Sequence, residues 1–167
     1  MRDLVAGIVA VFLLLVAASL AATLRAHRRR RQRARDSERA LGRAVIAELP
    51  TADDLVLVSE DDQRFYYGER AIDKNLIVAV LVLINGSPIA ACVSQRHATS
   101  TPPQATSFED RPDGIARDRW DVAVETVAGT TLIECGAIRE RVSQELARAV
   151  FEAIKNDVEG RDRDIES

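Results

Sequence analysis

Residues Leu4 to Leu24, LVAGIVAVFLLLVAASLAATL, run without a single charge and lead directly into RAHRRRRQRARDSER, residues 25 to 39. No other feature restricts the fold as much. At ~1.5 Å per residue a helix of that length spans roughly 30 Å, the thickness of a bilayer's hydrocarbon core. Ser19-Leu20-Ala21 offers a small-x-small site, so a cleaved signal peptide is the competing reading. Against it stand a weakly charged start, where Arg2 is offset by Asp3, and a dense arginine cluster just past the site, which opposes export. Residues 1–24 are therefore read as an uncleaved, single-pass transmembrane anchor.

The arginines also set its orientation. Positive charge close to a span tends to stay on the cytoplasmic side. Arg25, Arg28, Arg29, Arg30, Arg31, Arg33 and Arg35 all follow the run. The expectation is an N-terminus outside and a C-terminal domain in the cytoplasm. Membrane lipids are then partners twice over, through residues 4–24 and through the collar. Each well-placed arginine contributes on the order of 1 kcal/mol at an anionic surface.

Beyond the collar, Leu41, Val45 and Leu49 repeat every four residues with Ala44 and Ile46 beside them, and Pro50 follows. That spacing predicts an amphipathic helical stalk, so that 25–50 forms collar and stalk together.

Charge divides at the same place. Residues 1–50 carry ten arginines against four carboxylates, a net +6, and residues 51–167 carry 13 basic against 22 acidic side chains, a net −9. An acidic domain argues against nucleic-acid binding, which needs positive charge to displace counterions. Lysine occurs only as Lys74 and Lys155 among 23 basic residues, a skew that reads as codon bias.

After Pro50 the apolar period changes from helical to strand-like. LVLVSE (55–60) and RFYYGERAI (64–72) are short β-rich runs, and LIVAVLVLI (76–84) is a strand buried on both faces. Asn85-Gly86 marks a two-residue hairpin returning through SPIAACVSQ (87–95). Residues 96–118, with three prolines and many small polar residues, read as a long loop. RWDVAVETV (119–127) and TTLIEC (130–135) form a second hairpin.

The stripe Ile138, Val142, Leu146, Ala149, Val150, Ala153, Ile154 and Val158 predicts a closing helix, and 161–167 a charged tail. The fold class is α+β. The anchor and stalk lead into a mainly antiparallel sheet of about six strands packed by a C-terminal helix, with the domain at 51–160. By architecture alone, sheet-then-helix order is similar to pleckstrin-homology-like domains of small bacterial membrane proteins. No motif carries that comparison.

Candidate chemistry is sparse. Cys135, placed just before the closing helix, is where amide dipoles would lower a thiol pKa, while Cys92 in AACV reads as packing. His97 with Ser94 or Ser100 and with Glu109 or Asp110 assembles a hydrolase triad only on paper. Asp53, Asp54, Glu60, Asp61 and Asp62 lack the alternating spacing of a calcium loop. No catalytic residue, metal site or cofactor is assigned. Possible partner contacts are Phe108, an aromatic among polar neighbours in the loop, and Tyr66 and Tyr67.

The functional expectation is a non-enzymatic, single-pass membrane protein at the cell membrane. Its cytoplasmic domain binds a protein partner, as an accessory or assembly subunit of a membrane complex does. The alternative is a pilin-like structural subunit of an extracellular filament, whose plan of long helix then sheet is similar. Such subunits are cut after a glycine and carry glutamate at the fifth mature position. Cleavage after Gly7 puts Phe12 there.

Overall fold

The computed structural model describes residues 2–51, 55–97 and 118–164, without the side chains of residues 2–11, His27 and His97. Met1–Leu41 and Gly42–Ser167 are separate compact units. The first is a single helix, α1 (Arg2–Ala40), which contains both the uncharged run and the arginine collar. Among the described residues no helix is long and apolar enough to cross a membrane. Residues 4–11 of the expected span lie outside the described side chains. The helix ends as the Leu41 amide donates to the Ser37 and Glu38 carbonyls, and Gly42 takes φ +76°. A residue with positive φ just past the last turn is a common helix stop.

The helix stops at Ala40 and does not continue through the expected stalk to residue 49. Residues expected to continue the helix to 49 instead make strand β1 (Ala44–Pro50), so the folded unit starts before Pro50 and not after it. Ala47 and Leu49 point into the core while Glu48 is half-buried on the other side, a period of two. Val45 and Ile46 are β-branched, and a strand with partners to pair with suits them better than an isolated helix end. The partner is β2 (Leu55–Glu60), which pairs from Ala44↔Glu60 to Pro50↔Leu55 with a bulge at Ile46.

The expected single sheet of about six strands is in fact two antiparallel sheets of four. RFYYGERAI is a hairpin, β3 (Arg64–Tyr67) and β4 (Arg70–Asp73), and completes the first sheet in the order β1-β2-β3-β4. A 3-10 turn, Lys74–Leu76, then carries the chain into the second sheet. There β5 (Ile77–Ile84) and β6 (Ser87–Val93) form the expected hairpin, with Asn85 and Gly86 both at positive φ, 52° and 75°.

Strand β7 (Arg119–Thr126) returns to the other side of β5, and β8 (Gly129–Ala137) completes the order β6-β5-β7-β8. The Asn85 side chain helps place that return by accepting hydrogen bonds from the amides of Asp118 (2.6 Å) and Arg119 (3.2 Å).

The closing helix, α2 (Arg141–Arg163), lays Ala147, Val150, Phe151, Ile154 and Val158 on β1, β5, β7 and β8. It starts later than expected, because β8 runs on to Ala137. Ile138 thus precedes the helix, and Val142 is exposed. It also ends later, taking Arg161–Arg163 out of the expected tail.

Ser143 fits its first turn against Gly136, whose φ is +112°, and a Cβ there would sit 2.5 Å from Ser143 Oγ. Gly136→Ala is therefore expected to destabilise the domain by about 2 kcal/mol or more, from backbone strain and the clash together. Chemical denaturation checks this, and an unchanged midpoint would contradict it.

Candidate functional site

Three side-chain arrangements stand out in the second unit. The first is centred on Lys74, buried where the 3-10 turn meets α2. Its ammonium donates to Glu60 Oε2 (2.8 Å), pairs with Asp157 Oδ1 (3.2 Å) and lies 4.4 Å from the centre of the Phe65 ring. Arg161 Nε donates to the other Asp157 oxygen at 2.8 Å, and Arg161 also reaches the Asn75 side chain and the Asp62 carbonyl. Every charge in this network is answered from within, and it ties β2, the turn and α2 together.

The second arrangement is a clip at the end of α2. Asp162, expected in a charged tail, is buried and accepts from Ser94 Oγ (3.0 Å) and the Gln95 amide (2.8 Å). Ser94 is thus occupied in holding β6 to the helix. The His97 side chain, Glu109 and Asp110 of the paper triad lie outside the described residues.

The third arrangement is a face. Residues opposite each other across a ladder share one side of the sheet, and in the second sheet the two sides differ sharply. Ile77, Val80, Val82, Val122, Val124 and Ile133 meet α2 and the first sheet in the main core. Ala79, Leu81 and Ala123, all buried, form a second cluster apart from it with Leu83 and Leu132 packed beside them, so β5 is buried on both faces from Ile77 to Val82, as its unbroken apolar run predicts.

Pairing extends this second side. Val93 stands opposite Ala79, Ala91 opposite Leu81, and Leu132 opposite Ala123. Ile89 and Val93 are 56% and 40% exposed. Acids border the cluster on β7 and β8. Glu125 pairs with Ala79 on one side and Thr130 on the other, and Asp121 lies between Leu83 and Glu134.

Asp121 is 1% exposed. Arg119 Nε donates to its Oδ2 at 2.9 Å and pairs with Glu134 at 3.1 Å, but Asp121 Oδ1 is enclosed with no donor. Burial raises the Asp121 pKa against the pull of Arg119, and burial likewise raises that of Glu125. Glu125 makes no ion pair or side-chain hydrogen bond among the described residues.

The residues singled out from sequence fall elsewhere. The seven collar arginines, Arg25, Arg28, Arg29, Arg30, Arg31, Arg33 and Arg35, are exposed along α1. Phe108 lies outside the described residues, as do Asp53 and Asp54. Tyr66 is buried, its ring under the Arg43 guanidinium at 3.6 Å and its hydroxyl donating to Asp61 Oδ2 at 2.7 Å. That bond, with the amides of Gln63 and Arg64, holds the Asp61 pKa below the usual carboxylate value. Tyr67 is half-buried against the core, and burial raises its pKa. Among the described residues no group of three or more His, Cys, Asp or Glu is placed to hold a metal ion.

Cys135 is not an activated thiol. It occupies the bulge in β8, inside the core, and burial with the nearby Asp121 carboxylate pushes its pKa up to about 12. Cys92 is half-buried, its pKa also raised by burial, and both sulfurs are free. A thiolate-selective reagent is expected to modify native Cys92 slowly and Cys135 only on unfolding. Native labelling of Cys135 at a rate equal to Cys92, read by peptide mass, would contradict this.

Comparison with protein-family models, with curated proteins and with solved structures finds no match to this chain. The architectural likeness to pleckstrin-homology-like domains accordingly carries no argument.

Proposed function

We propose that this chain is a non-enzymatic, single-pass membrane protein whose second unit lies in the cytoplasm and binds a protein partner through the β6 edge of the second sheet. One observation carries the reading. Ile89 and Val93, large apolar side chains on the β6 edge strand of the second sheet, are left 56% and 40% exposed. Surface apolar residues grouped in this way mark interaction sites more often than isolated ones do.

The anchor and its topology rest on the uncharged run and the arginines after it. The Lys74 and Asp162 arrangements are satisfied internally and serve the fold.

Two measurements test the proposal. A reporter fused to the C-terminus that works only in the cytoplasm is expected to be active. An active extracytoplasmic reporter instead would overturn the topology and favour the filament-subunit alternative. Purified in mild detergent, the full chain is expected to carry a stoichiometric protein partner. A chain that stays partnerless and turns over a small molecule would refute the assignment.

A further inference from the structure

We infer that the cleft between strand β4 and the β7–β8 turn binds a phosphomonoester with an apolar substituent. The inference goes beyond partner binding at the β6 edge and does not depend on it.

The cleft has a volume of about 430 Å³, with β4 along one side and Thr126 and residues 128–131 along the other. Its charge runs against its surroundings. Residues 51–167 are net −9, yet Arg64 and Arg70 line the cleft, with Asp73 as the only carboxylate among the described lining residues. Asp73 is occupied: its Oδ1 accepts the Asn75 amide at 2.9 Å and caps the 3-10 turn. Neither guanidinium makes an ion pair or a side-chain hydrogen bond among the described residues, although Arg64 stands directly opposite Asp73 in the β3–β4 ladder.

Uncharged donors stand beside them. The Lys74 amide donates to the Gln63 carbonyl, so the alternation of an antiparallel ladder directs the amides of Ala71 and Asp73 away from β3, at the edge of the first sheet. The Thr130 and Thr131 hydroxyls have no hydrogen-bond partner among the described residues. Guanidinium, amide and hydroxyl donors around one cleft suit an acceptor-only group with several oxygens. A phosphomonoester brings three such oxygens and a charge of about −2 near neutral pH, where a planar carboxylate brings fewer of both.

The apolar substituent has its own seat. Leu76 lines the cleft and is 41% exposed, and Val127, whose amide donates to the Leu76 carbonyl at 3.1 Å, is 59% exposed beside it. The cleft is larger than phosphate alone fills and lies in the size range of small-molecule sites.

The test is calorimetric titration of the full chain in dodecyl maltoside with phenyl phosphate, inorganic phosphate and benzoate. Phenyl phosphate is expected to bind saturably, and the other two at least about fivefold more weakly. Arg64→Gln and Arg70→Gln should each weaken phenyl phosphate about fivefold or more, and Leu76→Ser should bring it towards the affinity of inorganic phosphate. Arg148→Gln, the same charge change on the exposed side of α2, should alter binding less than about twofold. In phosphatidylcholine nanodiscs, competition by added phosphatidic acid would support the site and assign it to a lipid headgroup, and unchanged phenyl phosphate binding would support it and assign it to a soluble ligand.

No saturable binding of phenyl phosphate to chain with native circular dichroism would overturn the inference. Losses from Arg148→Gln equal to those from the two cleft variants would reduce the effect to general attraction and overturn it as well. Benzoate binding as tight as phenyl phosphate would overturn the phosphate class.

Discussion

Lys74→Ala is expected to destabilise the domain by about 3 kcal/mol, at the lower end of the range for breaking a buried ion pair. The substitution strands the Glu60 carboxylate and removes one of the two cations on Asp157, which keeps Arg161. It also takes the ammonium off the Phe65 ring. Glu60 and Asp157 retain side-chain exposures of 31% and 17%, so water answers part of the lost charge, which is why the lower end applies.

The cause can be separated from simple loss of volume. Lys74→Met keeps most of the stem but no charge, and should be nearly as destabilising as Lys74→Ala. The double variant Lys74→Met with Glu60→Gln should recover part of the loss, because the stranded carboxylate is gone. Urea denaturation of the full chain, followed by the fluorescence of Trp120, the single tryptophan, reads each value. A cost below about 1 kcal/mol for Lys74→Ala would show the network to be solvated and unimportant.

Leu49→Ala is expected to cost a further 2–5 kcal/mol in the same measurement, the range for emptying a buried leucine site. Leu49 is fully buried between the first sheet and α2. Leu41→Ala, eight positions earlier on what reads in sequence as the same helical stripe, should stay within about 0.5 kcal/mol, since Leu41 is 62% exposed. Equal, small effects at both positions would restore the helical stalk and remove β1 from the domain.

The misreading of β1 has a definite physical origin. A repeat of four is a multiple of two, so the spacing of Leu41, Val45 and Leu49 alone does not tell a helical stripe from a strand, and the bulge at Ile46, which turns Val45 off the face of Leu49, has no sequence signal. Ala47, which shares the buried side with Leu49, distinguishes them, and Gly42 is the stop signal before it. Elsewhere the local signals sufficed. Asn85-Gly86 placed the β5–β6 hairpin because its turn chemistry is specific, and Ala147 to Val158 placed α2 because its stripe is long.

The number of sheets was less legible, since it depends on which distant strands pair. Nothing local announces that β7 joins β5 or that β4 ends a sheet. The same limit hid the candidate site. In IVAVLVLI every residue is apolar, so the run does not reveal that Val80 and Val82 face the core while Ala79 and Leu81 face away. Glu125 is an ordinary alternate polar residue until pairing sets it beside Ala79. By contrast the aromatic pair Tyr66 and Tyr67, conspicuous in sequence, serves the turn at Asp61 and the core.

Site-specific photocrosslinking in living cells, with the photoreactive residue at position 93 of the full chain, bears most directly on partner binding at the β6 edge. A discrete crosslinked protein species is expected from position 93 and missing from a probe at position 145 on the exposed side of α2. Crosslinking from position 145 but not 93, or none from 93 while the chain is folded and abundant, would contradict it.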